Sequence, residues 1–354
     1  MDRKFISVGH GGFSKEWFTD KEGNVLFTIV YDCGSYRKTE VQEKIKKNTQ
    51  ENEIIDILFL SHFDRDHING VEDLLDRCTV KKLMIPIFND EVLLTEYLVA
   101  KTKYPFGTIA TASTTTVAFI KGVITGYFGN FGKFDNINIE YVPTTGSSTT
   151  RLKIHTSGNP MEANEIPFWE YIPFNLPFDE TRYKEFFNWF KGQHQECFDG
   201  DNLDMDKIDR ALTNKDVYKQ VKSHIKSILG DTNDHSMVLY SGPVEEKKAK
   251  LLASCLYMGD FKATGAHIKN LANALTQKRW KQIHMVQVPH HGSKYNFNIN
   301  SGLYDNGVIG VIFASENETN YPAIEVKQEI INNGGIPIKV SYSEYTELLF
   351  HFDL

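Results

Sequence analysis

The segment over residues 60–70 constrains this chain more than any other part of its sequence. An apolar run over residues 54–60 leads into it, and a helix-like stretch over residues 71–77 follows. Four side chains of metal-ligand type fall within six consecutive positions of the segment: His62, Asp64, Asp66 and His67. Imidazole and carboxylate groups at this density on one strand-to-helix turn indicate a metal centre.

The spacing of these four residues explains how one turn can serve two metal positions. Side chains two apart in an extended turn project to the same side, so His62, Asp64 and Asp66 can converge. His67 then turns toward a neighbouring point as the helix begins, and the helix N-terminus favours anionic groups nearby. A polar surface turn with a capping carboxylate would explain Asp66 alone. It would not explain two histidines in register after a buried strand.

Composition limits the class of protein. Of the 354 residues, 41% are hydrophobic and 24% are charged, which is typical of a globular chain. The four cysteines lie far apart and predict reduced thiols in a cytosolic protein. We find no leader and no apolar stretch long enough for a bilayer, so we expect a soluble cytoplasmic product without a membrane partner. The net charge of -7 excludes a general nucleic-acid coat protein, but not an enzyme that grips phosphates locally.

The order of elements along the chain predicts the architecture. Short strands dominate the first and last thirds, and the middle third is rich in aromatic residues with helical spacing. We therefore predict two sheets sandwiched by helices. We treat residues 1–354 as one domain, with residues 168–230 as a helical, aromatic-rich insertion or cap within it.

Two further motifs supply what the first one lacks. Gly259-Asp260 closes an apolar strand, and the run Pro289-His290-His291-Gly292-Ser293 closes another. Each is weak alone, because Gly-Asp suits any turn and a histidine pair is often structural. Together they provide the bridging carboxylate and the closing histidine that a binuclear metal site requires.

The residues now permit a comparison with known families. The run HFDRDH over residues 62–67 resembles the HxHxDH signature of the metallo-β-lactamase fold, with Asp64 in place of the second histidine. That variant, followed by the Gly-Asp pair and the run His-His-Gly-Ser, resembles the hydrolase domain of ComEC-type DNA-uptake proteins. The segments over residues 8–12, 29–34 and 233–239 resemble further elements of that group. The resemblance covers most of the chain outside residues 90–230.

The resemblance implies an α+β fold, a four-layer αββα sandwich with metals at one edge. It implies a ligand set made of the following residues: His62, Asp64, Asp66, His67, Asp260 and one of His290 or His291. We favour His290, which is nearest the strand end, and give His291 a supporting or proton-transfer role, so that Asp66 and His291 are the catalytic candidates. His235 stands where related chains carry Asn, and it is either a ligand or a hydrogen-bonding residue.

The chain also departs from this group. It has no channel-forming membrane helices, so we do not expect a DNA translocator. Gly12 stands where the VGQGD turn of the group has Asp, and the helical insertion has no counterpart. Asp64 makes the ligand set harder, so we expect two divalent metal ions, zinc or manganese, with magnesium also credible.

These observations predict metal-assisted hydrolysis by a metal-bound hydroxide, with Asp260 as the bridging ligand. The leading substrate is a phosphodiester, in DNA, RNA or a cyclic nucleotide, and Ser293 and Lys294 are candidate phosphate contacts or parts of an ordinary loop. One alternative is a hydrolase of small esters, thioesters or lactones. Another is a binding or regulatory module of a multi-protein system, with residues 168–230 as a protein-partner surface. The sequence gives no oligomeric state.

Overall fold

The chain divides into two units. The computed structural model describes residues 1–87, 90–102, 137–143, 159–176, 181–200, 202–229, 236–244 and 254–353. The first unit comprises Met1–Ile87, Ile137–Pro177 and Asn233–Leu354, and the second comprises Phe88–Asn136 and Phe178–Thr232.

The secondary structure follows the chain in this order. The strands are β1 (Asp2–Phe5), β2 (Gly11–Thr19), β3 (Val25–Ser35), β4 (Ile54–Phe59), β5 (Thr79–Ile87), β6 (Asn138–Pro143), β7 (Met161–Glu162), β8 (Trp169–Phe174), β9 (Phe198–Asp199), β10 (Asn202–Leu203), β11 (Val238–Pro243), β12 (Cys255–Tyr257), β13 (Met285–Gln287), β14 (Ile309–Phe313), β15 (Ile336–Val340) and β16 (Leu348–His351). The α-helices are α1 (Lys38–Asn48), α2 (Arg65–Ile68), α3 (Val71–Arg77), α4 (Asp90–Thr102), α5 (Thr181–Gln193), α6 (Met205–Leu212), α7 (Lys215–His224), α8 (Gly265–Lys281) and α9 (Ile324–Asn332).

Two mixed sheets form the first unit. Within the described residues, the first sheet has the order β16-β1-β2-β3-β4-β5-β6, and the second has the order β15-β14-β13-β12-β11-β8-β7. In the first sheet β3, β4, β5 and β6 run parallel to one another, and in the second β12, β13, β14 and β15 do so. Parallel strands of one sheet end at the same edge of that sheet. The motifs that follow β12 and β13 therefore lie side by side at one edge of the second sheet, and the motif that follows β4 lies at the carboxyl ends of the parallel strands of the first sheet.

The interior between the two sheets is aromatic, with one buried polar network. Tyr31 of β3 stacks on Tyr257 of β12, with ring centroids 5.0 Å apart. Arg3 of β1 and Glu16 of β2 are both fully buried, and Arg3 Nε lies 2.6 Å from Glu16 Oε1. The hydroxyls of Tyr257 and Ser241 donate to the Glu16 carboxylate at 2.6 and 2.7 Å. Arg3 and Glu16 belong to the first sheet, and Ser241 and Tyr257 belong to the second. Because a buried charge needs hydrogen-bond partners, this network joins the two sheets.

Helices cover the outer faces of the sheets. On the second sheet, α8 and α9 bury Leu271 and Ile330 in the same apolar cluster as Val286. On the first, α1 buries Val41 and Ile45. These layers confirm the predicted α+β sandwich.

The second unit is mostly helical. Helices α4, α5, α6 and α7 account for most of its described residues, with the short hairpin β9-β10 between them. Tyr218 of α7 donates its hydroxyl to the carbonyl of Thr102 in α4, at 3.2 Å. Lys101 of α4 pairs with Asp209 of α6 at 2.7 Å.

The insertion differs from its predicted boundaries. Residues 169–174 form strand β8, which pairs with β11 in the register Phe174 to Val238, so the helical part starts at Thr181 and not at 168. The pairing is with a strand more than sixty residues later in the chain, and local sequence cannot indicate such a partner. No helix in the described part of the chain has the length and apolar character needed to cross a bilayer.

Candidate metal centre

The first motif forms a tight turn at the end of β4. The chain stays extended through Asp64, whose φ and ψ are -66° and 144°, and α2 begins at Arg65. Asp66 and His67 therefore lie in the first helical turn, while His62 lies in the extended part. All three side chains are buried, at 7% exposure or less.

A first group of ligand atoms joins the two sheets. His62, His67 and Asp260 each offer one atom, and these atoms lie within 4.8 Å of one another. His62 Nε2 is 3.7 Å from Asp260 Oδ2, and His67 Nε2 is 3.2 Å from Asp260 Oδ1. Asp260 follows β12, so the second sheet supplies the carboxylate that the turn after β4 requires.

A second group shares His67 with the first. Asp66, His67 and His291 also bring three atoms within 4.8 Å of one another. His291 Nε2 lies 3.2 Å from Asp66 Oδ2, and His67 Nε2 lies 3.8 Å from the same oxygen. His291 Nε2 is also 3.9 Å from Asp260 Oδ1. The two groups are therefore adjacent and in contact through Asp260.

Hydrogen bonds fix the orientation of His67 and His62. Asp32 Oδ2 lies 2.8 Å from His67 Nδ1, and because a carboxylate only accepts, Nδ1 carries the hydrogen. The Ser61 hydroxyl donates to Asp32 Oδ2, so its oxygen accepts from His62 Nδ1 at 2.8 Å. Ser236 Oγ also contacts His62 Nδ1, at 3.1 Å.

His291 is held in the same way, through the backbone. Its Nδ1 donates to the carbonyl of Phe313 at 3.0 Å. Each of the three histidines thus uses Nδ1 within the protein, which leaves Nε2 as the atom that faces the carboxylates. The buried Nε2 atoms of His62 and His67 make no hydrogen bond of good geometry to the described residues. A metal-ligating histidine has this arrangement, because its outer hydrogen bond sets the ring orientation.

The charges of the site are strongly coupled. Burial opposes the protonation of His67, but the carboxylates of Asp260, Asp32 and Asp66 outweigh burial and raise the pKa of His67 well above its ordinary value. Burial and the neighbouring His67 lower the pKa of His62. Burial also disfavours the charged forms of Asp66 and Asp260, yet the charge on His67 outweighs it and lowers the pKa of both carboxyls.

The histidine pair after β13 is divided between two environments. His290 and His291 both have positive φ, 48° and 56°, in a turn over Pro289–Gly292. His291 faces Asp66, whereas His290 Nδ1 contacts Asn296 Nδ2 at 2.7 Å and lies 3.8 Å from Asp260 Oδ2. The described residues thus bring His291, and not His290, into a three-residue ligand group.

The remaining sequence candidates lie in different places. Asp64 belongs to neither ligand group, although its charge raises the pKa of His62 against the effect of burial. Ser293 is buried, and its hydroxyl accepts from the amide of Tyr295 at 3.3 Å. Lys294 is exposed, with Nζ 5.5 Å from the centre of the Tyr295 ring. His235 lies outside the described residues.

Sequence reasoning did not assign roles to several residues around the centre. Asp32, whose φ is 55°, accepts hydrogen bonds from His67 Nδ1 and from the Ser61 amide. The sequence signal for a role of Asp32 in the site was its position at the end of an apolar run, just before Gly34. His10 lies with its ring centroid 4.0 Å from that of His291, and burial and His291 lower the pKa of His10 to about 3. A Cβ on Gly12 would come within 3.0 Å of Asp32 Oδ2 and His67 Nδ1, so glycine at this position makes room for the site.

Fold and site together define the class. A sandwich of two mixed sheets with histidine and aspartate side chains gathered at the ends of its parallel strands is a metallo-β-lactamase fold. Residues 24–156, somewhat more than a third of the chain, match the model of the Metallo-beta-lactamase superfamily.

Two solved structures are similar to the chain at low identity. One is the crystal structure of a long form RNase Z from yeast, with 12% identity, 89% of this chain and 36% of that chain covered, and a TM-score of 0.35. The chain thus spans about a third of that protein. The other is MEM-A1, a subclass B3 metallo-beta-lactamase isolated from a soil metagenome library, with 10% identity, 94% and 92% covered, and a TM-score of 0.30. A search of curated proteins finds no significant match.

Proposed function

We propose that this protein is a divalent-metal-dependent hydrolase of phosphodiester bonds, a nuclease or phosphodiesterase. One observation carries the metal dependence: three histidines are each fixed through Nδ1, and their Nε2 atoms converge on Asp66 and Asp260. Buried imidazole nitrogens and carboxylate oxygens gathered in this way form the donor set of a divalent-metal site. The residues present therefore fit a bound metal.

The ligands divide into two sets in this proposal. Asp66, His67 and His291 would hold one ion, and His62 with Asp64 would hold the other. Asp260 would contribute to both sets, because its two oxygens face different histidines, His67 and His62. His291 takes the place as closing ligand that the sequence had favoured for His290.

The residues of the chain have distinct tasks in hydrolysis. When bound, divalent ions would supply Lewis acidity, which would activate a water for attack and offset the charge that develops on the substrate. Asp66 and Asp260 would act as ionised ligands: in the metal-free protein the charge on His67 lowers the pKa of each, and a bound cation would act in the same direction. Asn296 Nδ2 donates to His290 Nδ1, which places the ring hydrogen of that tautomer on Nε2, from which it can donate a hydrogen bond to a substrate oxygen.

The substrate class rests on the sequence motifs and the ligand chemistry. Asp64, the Gly259-Asp260 pair and the run over residues 290–293 are the features that resemble ComEC-type hydrolase domains. Three carboxylates, from Asp64, Asp66 and Asp260, make a hard ligand set that suits manganese or magnesium as well as zinc. Phosphodiester hydrolysis by a two-metal site uses such ions.

The test is a panel of divalent metals against single- and double-stranded DNA, RNA and cyclic nucleotides, with small esters and lactones in parallel. His62→Ala and Asp260→Ala should abolish metal-dependent phosphodiester cleavage while the protein stays folded. Asp305→Ala, which changes an exposed carboxylate of the same unit, is the matched control and should keep full activity. Equal cleavage by wild type and both site variants would reject the proposal, and turnover of esters alone would assign the site to that substrate class.

A further inference from the structure

Helix α7 carries a stripe of lysines on one face. Lys215, Lys219, Lys222 and Lys226 are all exposed, and they follow one another at intervals of four, three and four residues. At 3.6 residues per turn these positions fall within an arc of about 60° and extend over about 16 Å of helix. The last of them lies in the π-helical turn Ile225–Leu229 that continues α7.

Within the described residues, the lysine stripe is not paired with a counter-charge. Over the described residues, no ion pair joins any of the four ammonium groups to a carboxylate, whereas Lys207 of the same unit pairs with Asp204 at 3.2 Å. The fifteen residues 215–229 contain a single acidic side chain, Asp216. The whole chain has a net charge of -7, so the stripe is a local exception.

The fold uses only part of the stripe. Lys222 lies in the last turn of α7, where a cation is favourable, with Nζ 6.0 Å from the centre of the Tyr218 ring. Like charges three and four residues apart on a helix repel one another, and this repulsion opposes that gain. The stability of α7 comes from other contacts: the Asn214 side chain caps the first turn, and the buried face contains Tyr218 and Val221. A row of four exposed like charges, of which the fold uses one in a described contact, indicates an anionic ligand outside the protein.

We propose that the lysine stripe of α7 is a binding site for the phosphate backbone of a single-stranded nucleic acid. Successive ammonium groups along one helix face match a linear polyanion better than a compact anion. An anionic membrane is the other extended polyanion, but a helix that lies on lipid needs an exposed apolar face. The apolar face of α7, which includes Val221 and Ile225, is buried in its unit instead.

The choice of nucleic acid as the polyanion rests on the proposed phosphodiesterase function. Under that function, the stripe is a second contact for a polynucleotide substrate. Its residues are far in sequence from the proposed metal ligands. It would strengthen the binding of polynucleotides and leave the hydrolysis of small diesters unchanged, because a small diester has no chain that can reach a second site.

The test uses the full-length protein and a fluorescein-labelled single-stranded oligonucleotide, with EDTA present so that no metal-dependent cleavage occurs. The variant carries Lys215→Gln, Lys219→Gln, Lys222→Gln and Lys226→Gln, since Gln keeps the helix propensity of Lys. The matched control removes the same charge at four exposed lysines of the first unit: Lys21, Lys46, Lys269 and Lys281, each changed to Gln. Binding is measured by fluorescence anisotropy at several salt concentrations, and circular dichroism checks that both variants are folded.

We expect the stripe variant to bind about tenfold or more weakly at low salt, and its slope of log affinity against log salt to be smaller by up to about 3, at roughly 0.7 per lost phosphate contact. The control should keep the wild-type slope. Equal slopes for wild type and the stripe variant would overturn the proposal. Lysine-dependent binding to phosphatidylserine vesicles without oligonucleotide binding would overturn it in favour of a membrane.

A separate measurement distinguishes failure of the site function. With metal added, hydrolysis of bis(4-nitrophenyl) phosphate should be equal in wild type and the stripe variant. If no diester is cleaved by the wild type but the oligonucleotide still binds through the lysines, the phosphodiesterase proposal fails and the nucleic-acid site stands.

Discussion

The hydrogen bond between Asp32 and His67 should determine metal affinity, and Asp32→Asn tests it. Asp32 accepts three hydrogen bonds: Oδ1 from the Ser61 amide at 2.7 Å, and Oδ2 from the Ser61 hydroxyl and His67 Nδ1 at 2.8 Å each. An asparagine has only one accepting oxygen. If that oxygen faces the Ser61 amide, the NH2 group faces Nδ1 and forces the ring hydrogen onto Nε2. If the asparagine oxygen faces His67, the NH2 group points at the buried amide hydrogen of Ser61.

Both orientations remove the charged acceptor from His67 Nδ1, and a hydrogen bond to a charged group is worth about 1.5–3 kcal/mol. Each tenfold change in Kd corresponds to about 1.4 kcal/mol, so metal affinity should fall by roughly 10–100-fold. Loss of the hydrogen-bond partner of a metal-ligating histidine typically has an effect of this size. The assay strips the metal with a chelator and titrates zinc or manganese back against a chromogenic chelator. Asp305→Asn, an exposed change in the same unit, is the control. Wild-type affinity in a folded Asp32→Asn variant would refute the role assigned to this hydrogen bond.

Three further predictions follow from the same site and its supporting core. His291→Gln should lose one of the two metals by elemental analysis, whereas His290→Gln should keep both and lose turnover; the reverse pattern would make His290 the ligand. Because nearby carboxylates raise the pKa of His67, its proton is held to higher pH than in an ordinary histidine, and a metal that binds Nε2 must displace it, so metal binding should release a proton and strengthen as pH rises. Calorimetry in two buffers of different ionisation enthalpy measures that proton, and no release would contradict the assignment. Glu16→Ala leaves Arg3 buried without its partner and should lower the free energy of unfolding in urea by about 3–5 kcal/mol, while Arg3→Met with Glu16→Leu should recover most of the loss; equal losses in both would contradict this account.

Local sequence predicted the parts of the fold that depend on local pattern. The continuous apolar run before His62 became β4, and the Gly-Asp and His-His motifs each follow a strand, β12 and β13. The sequence pattern places Trp169–Phe174 in the helical insertion, whereas the structure shows a strand that pairs with β11. Local pattern could not predict this strand, because its partner lies far along the chain. The second unit is likewise built from two separate segments of sequence, and only tertiary contacts bring them together.

The site shows the same division between local and tertiary information. The spacing predicted that His62, Asp64 and Asp66 converge while His67 turns toward a neighbouring point. In the structure His62 and Asp66 belong to different three-residue groups that share His67, and Asp64 belongs to neither, because α2 begins at Arg65 and ends the extended spacing. Which of His290 and His291 faces these groups depends on a left-handed turn at both residues, which neither strand nor helix spacing predicts. The role of Asp32 depends on contacts between β3 and the turn after β4, across 35 residues of sequence.

Asp64 connects the sequence argument with the structure. It occupies the N-cap position of α2, where an aspartate usually accepts a backbone hydrogen bond, but its side chain makes no such bond here. The short helix therefore forms without the stabilisation that Asp64 is placed to give. Its charge acts on His62, whose pKa it raises against the effect of burial. We propose on this ground that Asp64 belongs to the donor set on the His62 side of the centre, as the sequence motif predicts. In that assignment the Asp66 side would have two histidines, His67 and His291, and the His62 side would have one.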